Sequence, residues 1–361
     1  MIKLLVVDDS ALLRKLLGQV FAGEADFEVQ FARNGVEALD QLTAFAPDVI
    51  TLDINMPQMD GLSCLDRIMV ELPRPVVMVS SLTAEGAETT LEALRLGAVD
   101  FVPKPEGTAS LYMETWAPDL IAKVRTAAGA KLKSSLRLQD RVRHRLRAPV
   151  ASLQRRGAAA DVAPALNEPA TGDGLVLVGT STGGPPALEA LLTPLPADFP
   201  WPILVTQHMP ASFTGPLARR LDGICALTVI EVQKPTPLQP GTVYVGRGDA
   251  DLIVSRRAGG LVAMAAPAEA GYPWHPSTDR LVRTAMAHLP ASQLIGVLMT
   301  GMGNDGAAAM TKLHADGGRT IAEAEETAVV WGMPGELVKA KGAGWIEPLS
   351  SIAERLQALT P

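Results

Sequence analysis

The sequence is short of cysteine, of basic charge and of long apolar runs, and each shortage excludes a class of protein. Its two cysteines, Cys64 and Cys225, fall in different halves of 361 residues. They read as reduced packing residues rather than a disulfide, which points to a reducing compartment. No apolar run approaches the roughly 20 residues that span a bilayer, so membrane insertion is not expected. The net charge of −7 argues against a general nucleic-acid binder, which needs a basic surface to neutralise phosphates. The start, Met1-Ile2-Lys3-Leu4-Leu5-Val6-Val7-Asp8-Asp9, reaches paired acids too soon for a secretory leader, and a cytoplasmic protein is expected. Internal repeats and coiled-coil heptads are also missing.

What is there suits soluble globular folding: 47% apolar residues, 20% charged, and enough length for two domains and a linker. Residues 1–125 alternate short β-rich runs, at 4–7, 49–52, 76–79 and 99–102, with amphipathic helical stretches. Strands separated regularly by helices predict a parallel sheet covered on both faces. Residues 126–173 are basic at first, then rich in Ala, Pro and Gly, as in a linker. A solvated connector is the simpler reading of that stretch, and a surface for an acidic partner the alternative. A second alternating region, 174–361, opens on Leu175-Val176-Leu177-Val178, with further runs at 203–206, 227–231, 243–245, 252–255, 261–264 and 294–299. Arg256-Arg257-Ala258-Gly259-Gly260 reads as a hairpin turn, so the second, mostly parallel sheet is expected to carry an antiparallel pair. The fold class is thus α/β, with two doubly wound domains. Their functional groups should gather at the carboxyl ends of the strands.

Asp8 and Asp9 end the first strand and Asp53 the third, so all three share one sheet edge, where neighbouring strand ends lie about 5 Å apart. Unit charges some 4 Å apart repel by roughly 4 kcal/mol at an effective dielectric near 20, so three carboxylates call for a cation. Hard oxygen ligands suit Mg²⁺, which binds phosphate oxygens alongside one or two carboxylates. Taken singly, each acid could merely cap a helix or solvate a loop. At the same edge, however, Ser80 offers a hydroxyl and Lys104 an ammonium, aimed inward by a tight turn at Pro105 that could be cis.

These residues, in order, resemble response-regulator receiver domains: Val6-Val7-Asp8-Asp9-Ser10, Asp53-Ile54-Asn55-Met56-Pro57-Gln58-Met59-Asp60-Gly61, Val79-Ser80-Ser81 and Pro103-Lys104-Pro105. The resemblance implies a flavodoxin-like, five-stranded parallel sheet with Asp53 as phosphoacceptor. It also implies a Mg²⁺ site from Asp8, Asp9, Asp53 and the Asn55 carbonyl, with Ser80 as switch hydroxyl and Lys104 on the phosphoryl group. Phe101 matches the aromatic switch position, without a hydroxyl. Phosphorylation would add close to two negative charges and three acceptors at Asp53, enough to bias a two-state surface.

In the second region the first strand runs into Gly179-Thr180-Ser181-Thr182-Gly183, which fits the G-x-S-x-G form of a nucleophile elbow. A helix after it would aim backbone N–H groups and its positive end at a developing oxyanion. A glycine-rich turn could equally bind phosphate. Yet the dinucleotide spacing fails at Ser181, and the Gly-Lys-Ser/Thr ending of a phosphate loop is absent. Of five histidines, His208 follows a strand directly and His275 lies in a polar loop; placement at a strand end favours His208 as base. The last strand named above enters Thr300-Gly301-Met302-Gly303-Asn304-Asp305-Gly306, which makes Asp305 the candidate orienting acid, with helix capping as its plainer role.

Gly179-Thr180-Ser181-Thr182-Gly183-Gly184, Gln207-His208-Met209-Pro210 and Leu298-Met299-Thr300-Gly301-Met302-Gly303-Asn304-Asp305-Gly306 resemble the chemotaxis protein-glutamate methylesterase family, CheB. The resemblance implies Ser181 as nucleophile, His208 as general base, Asp305 as its orienting acid and the Met302 backbone N–H as an oxyanion donor. Its substrates would be γ-methyl glutamate esters, and glutamines, on methyl-accepting chemoreceptors. A chemotaxis histidine kinase would be the phosphodonor, and the esterase site would need no cofactor. Pro276-Ser277-Thr278-Asp279 also fits, but Trp274 stands where the family often has histidine. Two rivals remain at this point: a non-catalytic, phosphorylation-dependent binding module, and the same hydrolase serving another methylated protein.

Overall fold

The computed structural model describes residues 1–104, 110–132 and 173–361. Most of the expected linker, and the Pro105 turn, lie outside those residues.

The first domain is a five-stranded parallel sheet in the order β2-β1-β3-β4-β5. Its strands are β1 (Ile2–Val7), β2 (Phe27–Ala32), β3 (Val49–Asp53), β4 (Val76–Ser80) and β5 (Asp100–Pro103). Every residue of β3 and β4 is buried, because helices cover both faces, and continuous apolar runs follow from that. The edge strand β2, Phe-Glu-Val-Gln-Phe-Ala, is half-exposed and interrupts its apolar residues with polar ones, which hid it from the sequence reading. The helices are α1 (Ala11–Ala22), α2 (Gly35–Ala44), α3 (Gly61–Glu71), α4 (Ala84–Leu96) and α5 (Ser110–Ala128). Ser10, Asn34, Asp60 and Thr83 cap the first four, each accepting from a backbone N–H three residues on.

The second domain holds a seven-stranded sheet, wholly parallel, in the order β15-β14-β13-β6-β7-β10-β8. Here β6 is Leu175–Thr180, β7 Ile203–Gln207, β8 Thr228–Val232, β10 Thr242–Gly246 and β13 Leu294–Leu298. Two further strands, β14 (Arg319–Glu323) and β15 (Trp345–Glu347), extend one side. The expected hairpin exists, as β11 (Ala250–Arg257) and β12 (Gly260–Pro267), but it is not part of the large sheet. With β9 (Thr236–Pro237) it forms a separate antiparallel sheet. The reason is packing: Leu252 and Val254 of β11 are buried with Leu281, Val282 and Ala285 of helix α8 (Thr278–Met286), while the hydrogen bonds of the hairpin run within it and to β9. Helices α6 (Gly184–Leu192) and α7 (Ala211–Asp222) precede α8, while α9 (Ala307–Ala315), α10 (Met333–Lys339) and α11 (Leu349–Leu359) follow it.

Chain order reverses at β6: the chain goes first to β7, then returns to β13 on the opposite side. That switch point opens a crevice at the carboxyl ends of β6, β7 and β13, where ligands of such sheets bind. The two domains also share one buried apolar cluster, which runs from Leu5 and Leu52 to Phe101 and on to Phe213 and Leu217.

Candidate functional site

Two sites lie at strand ends. In the first domain Asp8 and Asp53 are almost fully buried, Asp9 is exposed, and one oxygen from each lies within 4.8 Å of the others. Lys104 Nζ stands 2.8 Å from Asp53 Oδ2 and 3.4 Å from Asp8 Oδ2. Both oxygens are buried, and among the described residues Lys104 is the one cation beside them. Burial, and then the neighbouring Asp53, push the Asp8 carboxyl above its ordinary value; burial raises Asp53 despite Lys104. Burial alone would lower the Lys104 ammonium, but the two carboxylates outweigh it and raise it. One cation therefore only partly neutralises three carboxylates, and the donor set fits a hard divalent ion.

Around this cluster the Asn55 N–H donates to Asp53 Oδ1 at 3.4 Å. The Ser80 hydroxyl is turned toward α4: it accepts from Thr90 Oγ1 at 2.7 Å and sits 3.3 Å from the Gly86 carbonyl. Phe101 is buried away from the cluster, its ring 4.3 Å from that of Phe213 in the second domain.

The second site is built on the crevice of the larger sheet. Ser181 follows β6 directly, and the next helix begins after Gly183, which takes a left-handed conformation at φ 77°. His208 follows β7 and Asp305 lies in the turn after β13. His208 Nε2 is 2.8 Å from Asp305 Oδ2. The other ring nitrogen, Nδ1, is buried without a partner, and the Ser181 hydroxyl makes no hydrogen bond among the described residues. Both side chains line one pocket of about 220 Å³, together with Met209, Trp274, His275 and Met302. Gly301 must be glycine, since a Cβ there would lie 2.8 Å from Ser181 Cβ. The rival base, His275, has its own carboxylate: Nδ1 lies 2.9 Å from Asp251.

The Asp305 carboxylate is 2% exposed and collects four donors. Besides His208 they are the Thr278 N–H at 2.6 Å, the Ser277 hydroxyl at 2.9 Å and the Asp279 N–H at 3.0 Å. Burial would raise this carboxyl, but His208 and the two backbone donors hold it below its ordinary value, hence ionised. Ser277, Thr278 and Asp279 belong to the stretch that fits the family, but their part in clamping Asp305 is not readable from it; the sequence offers a Ser-x-Asp helix start before the apolar Leu281-Val282. Gln207, part of the motif that carries the resemblance but given no role by it, donates from Nε2 to the Ser181 and His208 carbonyls at 3.0 and 3.1 Å, bracing the two loops against each other. The backbone N–H groups of Thr182, next to Ser181 in the chain, and of Met302, which lines the same pocket, have no acceptor among the described residues.

Comparison with known proteins bears on both sites. Residues 176–356 match the CheB methylesterase family and residues 4–114 the response regulator receiver domain. A relative from Rhodopseudomonas palustris, named protein-glutamate methylesterase/protein-glutamine glutaminase 2, is 59% identical over 98% of this chain and 96% of its own length. Another from Rhodospirillum rubrum, named protein-glutamate methylesterase/protein-glutamine glutaminase 3, is 52% identical over 99% and 96%. The chain belongs to the CheB methylesterase family. The crystal structure of the Thermotoga maritima CheB methylesterase catalytic domain, 36% identical, aligns with a TM-score of 0.51 over 53% of this chain and all of that one.

In this CheB-family chain the receiver is seated on the esterase crevice. Asp100, Pro103, Asp119 and Lys123 line the same pocket as Ser181 and His208. Thr182 Oγ1, one residue past Ser181, donates to Asp100 Oδ2 at 2.5 Å, with both side chains buried. Lys123 Nζ donates to the Phe101 carbonyl at 2.9 Å and lies 3.7 Å from Asp100 Oδ1. Thr126 of α5 donates to the Met302 sulfur at 3.0 Å. Farther out, Arg220 of α7 meets Glu92 of α4 at 3.4 Å, and Arg219 meets Glu88 at 3.8 Å. The Arg219 pair is largely exposed and adds little; the buried contacts at Asp100 and Phe101 carry the interface. Among the described residues no helix is long and apolar enough to cross a membrane.

Proposed function

We propose that this chain is a phosphorylation-activated protein-glutamate methylesterase that hydrolyses glutamate γ-methyl esters on chemoreceptors and deamidates receptor glutamines. The observation that carries the reading is the His208–Asp305 pair at 2.8 Å, with His208 lining the same pocket as a serine whose hydroxyl makes no hydrogen bond among the described residues. Asp305, ionised and held from four sides, keeps a proton on His208 Nε2. His208 Nδ1, the nitrogen without a partner, is then the acceptor for the Ser181 proton. Ser181 Oγ attacks the ester carbonyl, and the Thr182 and Met302 N–H groups receive the developing oxyanion. His208 returns the proton to the departing methoxide, releasing methanol. Water, deprotonated by the same imidazole, frees glutamate from the acyl-enzyme. With a glutamine substrate the same steps release ammonia.

In the receiver, Asp53 is the phosphoacceptor, and a chemotaxis histidine kinase is its donor. Asp8, Asp9, Asp53 and the Asn55 carbonyl would hold Mg²⁺, which when bound would offset the charge of the incoming phosphoryl group. Lys104 contacts a phosphoryl oxygen, and Ser80 exchanges its bond to Thr90 for another. A phosphorylated receiver then releases the esterase pocket. Opening a site from 1% to 99% requires about 5.5 kcal/mol of differential stabilisation, more than one rearranged contact supplies, so activation is partial.

The test is methanol release from methylated receptor, with and without a small phosphodonor and Mg²⁺. Wild type should accelerate when both are added, whereas Asp53→Ala should stay at its basal rate; equal acceleration in the two would remove the gating. Asp100→Ala should act in the opposite direction. Losing a buried hydrogen bond costs roughly 1–3 kcal/mol, so basal activity without phosphodonor should rise about 5- to 150-fold. An unchanged basal rate would mean that the Asp100–Thr182 contact does not keep the site closed.

A further inference from the structure

We infer that Asp251 is a positioning residue for the reaction: it touches no reacting atom, but it locks the turn that supplies three of the four donors to Asp305. This rests on the catalytic reading of Ser181, His208 and Asp305 above. Asp251 lies on β11, in the small antiparallel sheet rather than the catalytic one, and is fully buried. Its Oδ1 accepts from the Ser277 N–H at 2.9 Å and faces His275 Nδ1 at 2.9 Å. Its Oδ2 accepts from Arg280 Nη1 at 2.5 Å. Arg280 is tied in turn to the Pro267 carbonyl at 2.7 Å and to Glu269 at 3.0 Å, back on the hairpin side.

One buried carboxylate thus grips the start of α8 at three points, at residues 275, 277 and 280. The same turn faces the catalytic sheet with its other groups. Ser277 Oγ and the N–H groups of Thr278 and Asp279 hold Asp305. Thr278 Oγ1 lies 2.9 Å from Thr206 Oγ1 at the end of β7, and a Cβ on Gly179 of β6 would lie 2.5 Å from the Thr278 methyl. Trp274, just before the turn, lies parallel to the His208 ring at 5.8 Å between centroids. The turn is therefore the piece that registers base and acid against each other. Asp251 is the group on the far side that stops it from rocking. A base and its orienting acid tolerate little misplacement, so the loss should appear in turnover rather than in substrate affinity.

The experiment uses the full chain, activated with phosphodonor and Mg²⁺, and follows methanol release. Asp251→Ala should lower kcat by about 10- to 100-fold with KM changed less than about twofold, the scale typical of outer-shell partners. Asp251→Asn keeps an acceptor for the Ser277 N–H but turns its NH₂ toward Arg280, so it should recover only part of that loss. Because Asp251 acts through the turn that carries Ser277, the double variant with Ser277→Ala should lose less than the product of the two single losses. The low-field proton resonance of the His208–Asp305 hydrogen bond should broaden or vanish in Asp251→Ala and return in part in Asp251→Asn. If Asp251→Ala does not fold, Asp251→Asn and Ser277→Ala alone and together carry the test. Full kcat in a folded Asp251→Ala, a loss confined to KM, or losses that multiply in the double variant would overturn the assignment. Ser181→Ala, run in parallel, separates the two levels: turnover surviving there removes the triad itself, whatever Asp251 does.

Discussion

Ser181→Ala should leave methanol release at least about 10⁴-fold below that of the activated wild type, the scale on which loss of a serine nucleophile is felt. No neighbouring hydroxyl is free to substitute. Thr180 Oγ1 is fully buried and donates to the Thr300 carbonyl, and Thr182 Oγ1 is committed to Asp100. Alanine removes one oxygen from a half-buried position whose backbone is held by the Thr300 carbonyl and by Gln207, so the fold should survive intact. The variant should still accept phosphate at Asp53, which lies in the other domain. Phosphorylation and turnover are thereby separated in one protein, and the measurement is methanol release alongside incorporation of phosphate. Near-normal release from folded, phosphorylated Ser181→Ala would sink the mechanism and bring back the non-catalytic binding module.

Asp305→Asn should be almost as severe, with kcat lower by roughly 10³- to 10⁴-fold. A carboxylate at this position accepts from His208, Ser277, Thr278 and Asp279 at once. A carboxamide has one accepting oxygen, and its NH₂ group would face donors. Whichever way it turns, it leaves buried donors unmatched and removes the charge that keeps the proton on His208 Nε2. The imidazole then presents the wrong tautomer to Ser181. Because the defect lies in proton transfer rather than in binding, KM should move far less than kcat. A variant that loses affinity but keeps turnover would show Asp305 to be a helix cap and nothing more.

Much of this was legible in the sequence because parallel α/β sheets deliver chemistry to one edge. Strands at 4–7 and 49–52 bring the ends at Asp8 and Asp53 together in one sheet, and strands at 175–178, 203–206 and 294–299 bring those at Ser181, His208 and Asp305 together in the other. Strands without a continuous apolar run escaped. The edge strand β2 is half-polar, and β15 has only three residues. The hairpin turn could be read, but not which sheet it would join, since that depends on Leu252 and Val254 meeting α8. The clamp on Asp305 joins residues 26 to 28 positions apart, and the Thr182–Asp100 bond spans 82. Such contacts have no periodicity to betray them. Ser80 was placed at the right strand end, yet its engagement with Thr90 depends on how α4 docks.

The shared pocket has one more consequence. Asp100, Pro103, Asp119 and Lys123 line the pocket in which, on the function proposed above, a receptor segment meets Ser181. Receiver and substrate are then competitors for one surface, and thermodynamic linkage makes their relation two-way. Whatever factor phosphate adds to substrate affinity, bound substrate adds to the stability of the phosphorylated form. A dense field of receptors would accordingly be an effector as well as a substrate, drawing the enzyme toward its open, phosphorylated state where ester is plentiful and letting it close as the ester is consumed.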